Sequence, residues 1–283
     1  MRTLLTALTL ALPLAALAAP SLVEVRVFPP DINLASKLDS QSVVVQAVYS
    51  DSTTRDVTAQ AQFSLADKSL ARLDRSVVHP VADGKTELSV KFDSKTLTLP
   101  VKIEKSGITQ PISFSLDVMP VFTKAGCNTG SCHGSARGKD GFHLSLFGYD
   151  PDGDYGKVTR QMLGRRVNLA LPEESLLLTK AIGAVQHTGG KSIERSDALY
   201  QTIVKWLEAG APADPKDTPY VTGIEIYPVQ AVLEGSGAAQ QFTVRAKYSD
   251  GTDRDVTQVA SYASNNDMSA KVTKTGLVTA DKR

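Results

Sequence analysis

The sequence predicts a multidomain chain: an all-β sandwich, then a mainly α unit, then a second all-β sandwich that is incomplete at its C-terminal end. Three observations carry that expectation. The two ends of the chain repeat one another at a constant offset of 199 residues. In both copies apolar residues alternate with polar ones, the period of half-buried strands. Between the copies the spacing turns near-helical, and both cysteines of the chain lie in that stretch.

Residues 1–18 read as a secretory signal: Arg2 gives the positive start, Leu4 to Leu17 the short apolar core, and Ala16-Leu17-Ala18 the small-x-small cleavage pattern. No later segment approaches about 18 consecutive apolar residues, so no membrane span is expected. The expected location is outside the cytoplasm, in the periplasm or at the cell surface. Without residues 1–18 the chain holds 30 basic and 30 acidic side chains. That balance supplies no electrostatic footprint for nucleic acid.

Residues 20–105 form the first β unit. Val23, Val25 and Val27 alternate with polar residues, and Val43, Val45, Ala47 and Tyr49 repeat the period before the turn Ser50-Asp51-Ser52. The second copy, 219–283, matches it position by position. Phe28-Pro29 becomes Tyr227-Pro228, Leu34 becomes Leu233, and Arg55-Asp56-Val57-Thr58 recurs unchanged as Arg254-Asp255-Val256-Thr257. A gapless match over about 30 positions is duplication. Short strands between such turns predict an immunoglobulin-like sandwich. The first copy continues through Leu88–Phe92 and Leu97–Ile103, strands the second does not reach, so the second is expected to be incomplete and the polypeptide to continue. His79 reads as a surface residue.

Residues 107–217 form the middle unit. Phe114, Val118, Phe122 and Ala125 predict a helix before Cys127; Leu199, Ile203, Trp206 and Leu207 predict another, stopped at Gly210-Ala211-Pro212. Between them, Cys127-Asn128-Thr129-Gly130-Ser131-Cys132-His133 places a histidine directly after the second thiol. Such adjacency suits covalent haem, whose vinyl groups take two thiols while the next imidazole takes the iron. The usual spacing is C-x-x-C-H; here it is C-x4-C-H, and Gly130 allows the longer loop to bulge. A structural disulfide, or a zinc or other metal site, are the other readings. For the second axial position the candidate is His187, in a glycine-flanked loop 54 residues beyond His133. Met162, in an expected helix, is the runner-up, and His143 and Met119 are weaker. Asp150-Pro151-Asp152-Gly153-Asp154 reads as an acidic turn rather than a calcium loop. Lys157, Arg160, Arg165 and Arg166 form a basic patch able to meet haem propionates or a redox partner.

Two resemblances follow from these residues. Tyr248-Ser249-Asp250-Gly251-Thr252, with Arg254-Asp255-Val256-Thr257 and Gly276–Ala280, resembles bacterial Ig-like domains of group 2. Asp117–Phe122, Gly126–Gly134, Gly141–Asp150 and His187–Lys191 resemble the planctomycete-type cytochrome c domain in its C-x4-C-H form. Together they imply an exported c-type cytochrome module between Ig-like spacers. Haem c would be held by Cys127, Cys132, His133 and His187, with iron on His133 and His187. The implied function is one-electron transfer, not catalysis, toward an unidentified redox partner protein or a downstream domain. The alternative is a cell-surface or adhesive Ig-like protein in which Cys127 and Cys132 form a disulfide and no haem binds.

Overall fold

In the computed structural model, which describes residues 19–162 and 164–281, the signal-like segment lies outside the described residues. The first unit is built from ten strands: β1 (Leu22–Phe28), β2 (Ile32–Leu34), β3 (Gln41–Ser42), β4 (Val44–Tyr49), β5 (Thr54–Asp56), β6 (Gln62–Leu65), β7 (Ala71–Asp74), β8 (Val77–Pro80), β9 (Gly84–Phe92) and β10 (Lys95–Ile103). They form sheets ordered β1-β4-β5, β2-β10-β9-β6 and β3-β8-β7. All the pairings are antiparallel except β2 with β10, which is parallel. Val25, Val45, Ala47, Leu88, Val90, Leu99, Val101 and Ile103 close a core drawn entirely from residues of this unit. Side chains from all three sheets, Ala71 and Val78 of the third among them, fill one interior.

The second unit comprises β11 (Val221–Tyr227), β12 (Ala239–Gln241), β13 (Thr243–Tyr248), β14 (Asp253–Asp255), β15 (Ala270–Val272) and β16 (Leu277–Ala280). The duplication is visible in register: β1 on β4 and β11 on β13 share the same pairing and the same irregularity after their first residue. Both Phe28-Pro29 and Tyr227-Pro228 are cis. Among the described residues the second unit has no counterpart of the β2-β10-β9-β6 sheet. The consequence is direct. Val25 is 5% exposed, while Ile224, its equivalent, is 69% exposed.

The fold-class expectation for the middle needs correction. Strands make up 30% of the chain and helices 16%. A π-helical turn at Phe114–Val118 leads into α1 (Met119–Lys124); α2 (Pro151–Thr159), α3 (Leu176–Ala181) and α4 (Ala198–Glu208) follow. These helices of 6, 9, 6 and 11 residues are joined by long turn-rich segments, so no mainly α cytochrome c domain is present. The physical reason is the spacing of helix breakers. Pro151 starts α2 and Gly210, at positive φ, follows α4, while the loops between are pinned by side chains rather than extended as helix. The two expected helices do form and share a core: Phe114, Phe122 and Trp206 are buried, with Phe114 and Trp206 ring centroids 5.3 Å apart. Trp206 Nε1 donates to Pro212 O at 3.0 Å, satisfying the one polar atom of that side chain.

Candidate functional site: a histidine pair beside two thiols

The cysteine loop begins where α1 ends. Its geometry is fixed by backbone hydrogen bonds: Cys132 N donates to Thr129 O, His133 N to Cys127 O and Gly134 N to Thr129 O, at 2.9–3.0 Å. Asn128 is fully buried; its Nδ2 donates to Thr123 Oγ1 at 3.0 Å and its carbonyl accepts from Phe147 N. Gly134 is required by contact: a Cβ there would lie 2.1 Å from Asn128 O. The two residues added relative to C-x-x-C-H are thus absorbed as consecutive turns. The strand-like return to Leu144 is tied by Leu144 N donating to His133 O at 2.8 Å.

That return fixes His133. Its Nδ1 stands 3.0 Å from Phe142 O. A carbonyl only accepts, so Nδ1 carries the proton and Nε2 keeps its lone pair. Phe142 also packs on the ring, with centroids 4.7 Å apart. His187 repeats the arrangement on a different loop, its Nδ1 standing 3.0 Å from Gly190 O. Gly189 clears the space: a Cβ there would sit 3.0 Å from His187 Cε1. The two imidazoles lie 6.2 Å apart between centroids and 12° from parallel.

A cavity of about 210 Å³ opens at this pair. Phe122, Phe142, Leu144 and Leu176 line it, with Cys127 at one side and Lys139, Arg165, Arg166 and Lys180 supplying positive charge. Cys132 joins Cys127, His133 and His187 around a smaller adjoining space. Burial pushes the His133 imidazole below its ordinary value; the hydrogen bond to Phe142 O opposes this, and the neighbouring His187 and Arg166 reinforce it. Burial pushes the Cys127 thiol up to about 11, with Cys132 adding to the rise. Arg166 is buried, donates to the carbonyls of Lys157 and Gly141, and lies 4.1 Å over the Phe142 ring.

These residues fit a haem. The two imidazoles hold their Nδ1 protons on carbonyls and border both an apolar cavity and two thiols that are free in the structure, the groups that would hold it.

The remaining candidates sort themselves. Met162 is not in a helix, since α2 ends at Thr159; it is an exposed residue at positive φ that lines the cavity's edge. His143 lines neither space. Met119 is buried in the helical core. In the acidic turn, Asp150 caps α2 by accepting from Gly153 N, and buried Asp154 accepts from Ser145 and Lys157. His79 lies half-buried on β8, opposite Arg72. The carbonyls of Phe142 and Gly190 hold the two imidazoles, and the sequence does not single out either residue as a ring-holding acceptor.

Residues 220–283 match the bacterial Ig-like domain (group 2) family, so that resemblance stands for the last unit; the match stops short of the cysteine segment. No curated protein matches the chain. Among solved structures it is similar to domains 5–6 of the S-layer protein SbsC (18% identity, 30% of this chain and 45% of that one, TM-score 0.25). It is similar also to SbsC domains 4–9 (10% identity, 94% of this chain and 28% of that one, TM-score 0.30). The chain therefore spans less than half the length of either, and overlaps this loose carry no functional argument. A second correction follows. Among the described residues no three His, Cys, Asp or Glu side chains gather into a metal-holding cluster, and the C-x-x-C-H spacing is absent. The labels cytochrome c and metal-binding protein are accordingly withdrawn, as is any site in which the chain alone would hold an ion. Among the described residues no helix is long and apolar enough to cross a membrane.

Proposed function

We propose that the middle unit is a haem-binding module of an extracellular protein, in which His133 and His187 would hold the iron and Cys127 and Cys132 would anchor the group covalently. The observation that carries this reading is the histidine pair: two near-parallel imidazoles, 6.2 Å apart, each with Nδ1 tied to a backbone carbonyl. When bound, the haem supplies a one-electron ferric/ferrous couple, which would pass electrons to a redox partner protein or another domain. Burial disfavours the His133 cation, and the Nδ1 proton on the Phe142 carbonyl leaves Nε2 with its lone pair. Phe142, Leu144 and Leu176 exclude water, while Lys139, Arg165 and Lys180 offer hydrogen bonds to carboxylates at the rim.

A pyridine haemochrome assay after co-expression with a c-type maturation system tests this. Haem that stays with the chain through denaturation supports the reading, and His187→Ala should then convert a low-spin spectrum to a high-spin, ligand-binding one. Absence of haem, with Cys127 and Cys132 protected from alkylation until reduced, would establish the second reading. That reading, a cell-surface Ig-like protein with a structural disulfide, is favoured by the Ig-like match at 220–283 and by both cysteines bordering one small space.

A further inference from the structure

The duplication relates more than sequences. It also relates the contacts between the two β units. Phe28 stacks on Tyr227, its own equivalent, with centroids 5.8 Å apart. Ser42 N donates to Asp255 at 2.7 Å, and Gln241 N, the equivalent of Ser42, donates to Asp56, the equivalent of Asp255, at 2.8 Å. Gln41 Nε2 reaches Asp255 at 3.3 Å and Gln240 Nε2 reaches Asp56 at 3.4 Å. Gln46 Nε2 donates to the carbonyl of Gln230, and Arg245 donates to the carbonyl of Asp31. Every one of these contacts between i and j has a twin between j and i at the 199-residue offset, which is the rule of a two-fold, isologous interface.

The symmetry is broken at several places, most clearly at a buried arginine. Arg245 pairs with Asp31 at 2.7 Å and stands 3.7 Å from Asp253. The equivalent positions are Gln46, Gln230 and Thr54, all neutral. The twinned contacts above can form between like or unlike units, whereas the Arg245–Asp31 pair exists only between unlike ones. Specificity built this way rests on the difference between partners.

We propose that the face carrying Phe28, Gln41, Ser42, Gln46 and Asp56 is a self-complementary docking surface whose partner, outside the intact chain, is a second copy of the first unit, and that Arg245–Asp31 directs it to the second unit within the chain. The first unit carries both halves of each twinned contact: in a pair of first units Asp56 would face the Ser42 amide, Gln46 the Asp31 carbonyl, and Phe28 its own equivalent.

Sedimentation equilibrium on residues 19–106, whose core is complete from its own strands, tests this. The fragment should dimerise. Asp56→Asn replaces an acceptor by a donor opposite Ser42 N at both symmetric positions, while leaving one oxygen for Thr58; dimerisation should weaken about 100-fold. Gln46→Arg should tighten it about tenfold, by placing a guanidinium opposite each Asp31. A folded fragment that stays monomeric at the highest concentration reached, or a dimer indifferent to both substitutions, overturns the proposal. If the fragment fails to fold, the intact chain decides: Arg245→Asp should enlarge the radius of gyration and Asp31→Arg in the same chain should restore it, and no change in either refutes the role of the pair.

Discussion

Asp154→Ala should unfold the middle unit at distinctly lower urea than the unsubstituted chain. The Asp154 carboxylate is 0% exposed and takes three donors: Ser145 N at 2.8 Å, Ser145 Oγ at 2.5 Å and Lys157 Nζ at 3.0 Å. Truncation strands the amide of Ser145, itself buried, and removes the partner of Lys157. Breaking one side of a buried pair costs about 3–5 kcal/mol. Lys157 is 26% exposed and can turn toward water, so the lower end, about 3 kcal/mol, applies. With a urea dependence of about 2 kcal/mol per molar, the midpoint falls by about 1.5 M. Asp154→Asn, which keeps an acceptor for Ser145 N, should cost about 1–2 kcal/mol. The assay is the fluorescence of Trp206, the chain's one tryptophan, buried in the core of this unit and blind to the others. If Asp154→Ala shifts stability by less than about 0.5 kcal/mol, the claim that side-chain pins, rather than helices, hold these loops is wrong.

Gly134→Ala should destabilise the same unit by about 2 kcal/mol or more, since its Cβ would fall 2.1 Å from the buried Asn128 carbonyl; the same fluorescence transition reads it. In the first unit, burial lowers the His79 pKa from 6.5, with Arg72 acting the same way and Asp74 opposing. The depressed folded value means the unfolded chain binds the proton first. Stability from this group is therefore full above pH 6.5 and is lost as pH falls toward the folded value. Urea midpoints of residues 19–106 measured on both sides of that window should show the loss, and His79→Gln should remove it.

The long strands β1 and β4 and their counterparts β11 and β13 are legible because they alternate with a period of two and are written twice. Strand β2 escaped, since three residues carry no period, and its parallel partner lies far along the chain. The middle unit misled for a related reason. Phe114–Ala125 and Leu199–Leu207 have helical spacing and do form helices, but the long stretch between them is organised by Asp154, Asn128 and Arg166, polar residues whose burial no local pattern announces. Met162 was placed in a helix that ends three residues earlier. At the candidate site, the adjacency of Cys132 and His133 singled out the loop, and glycine flanks singled out His187. The carbonyls that fix both rings belong to Phe142 and Gly190, and backbone acceptors leave no trace in composition. The alternation in β4 predicts a polar face toward solvent, yet Gln46 is 0% exposed because that face meets the second unit. The signal for that contact was already in the repeat: an Arg-Asp-Val-Thr run kept in both copies, whose aspartates cap the opposite unit.

The paired β units also have a mechanical consequence. A pull applied between residues 19 and 281 reaches the middle unit by one route and crosses directly between the sandwiches by another. The second route holds the Asp56 and Asp255 clasps and the Arg245–Asp31 pair in parallel, so they share tension that would otherwise extend the histidine loops. Arg254 on Asp117 and Lys124 on the carbonyls of Ala260 and Lys274 fasten the middle unit to the second sandwich, so it rides with that body rather than serving as the link. The molecule is wired as a shackle with its delicate part hung to one side of the load.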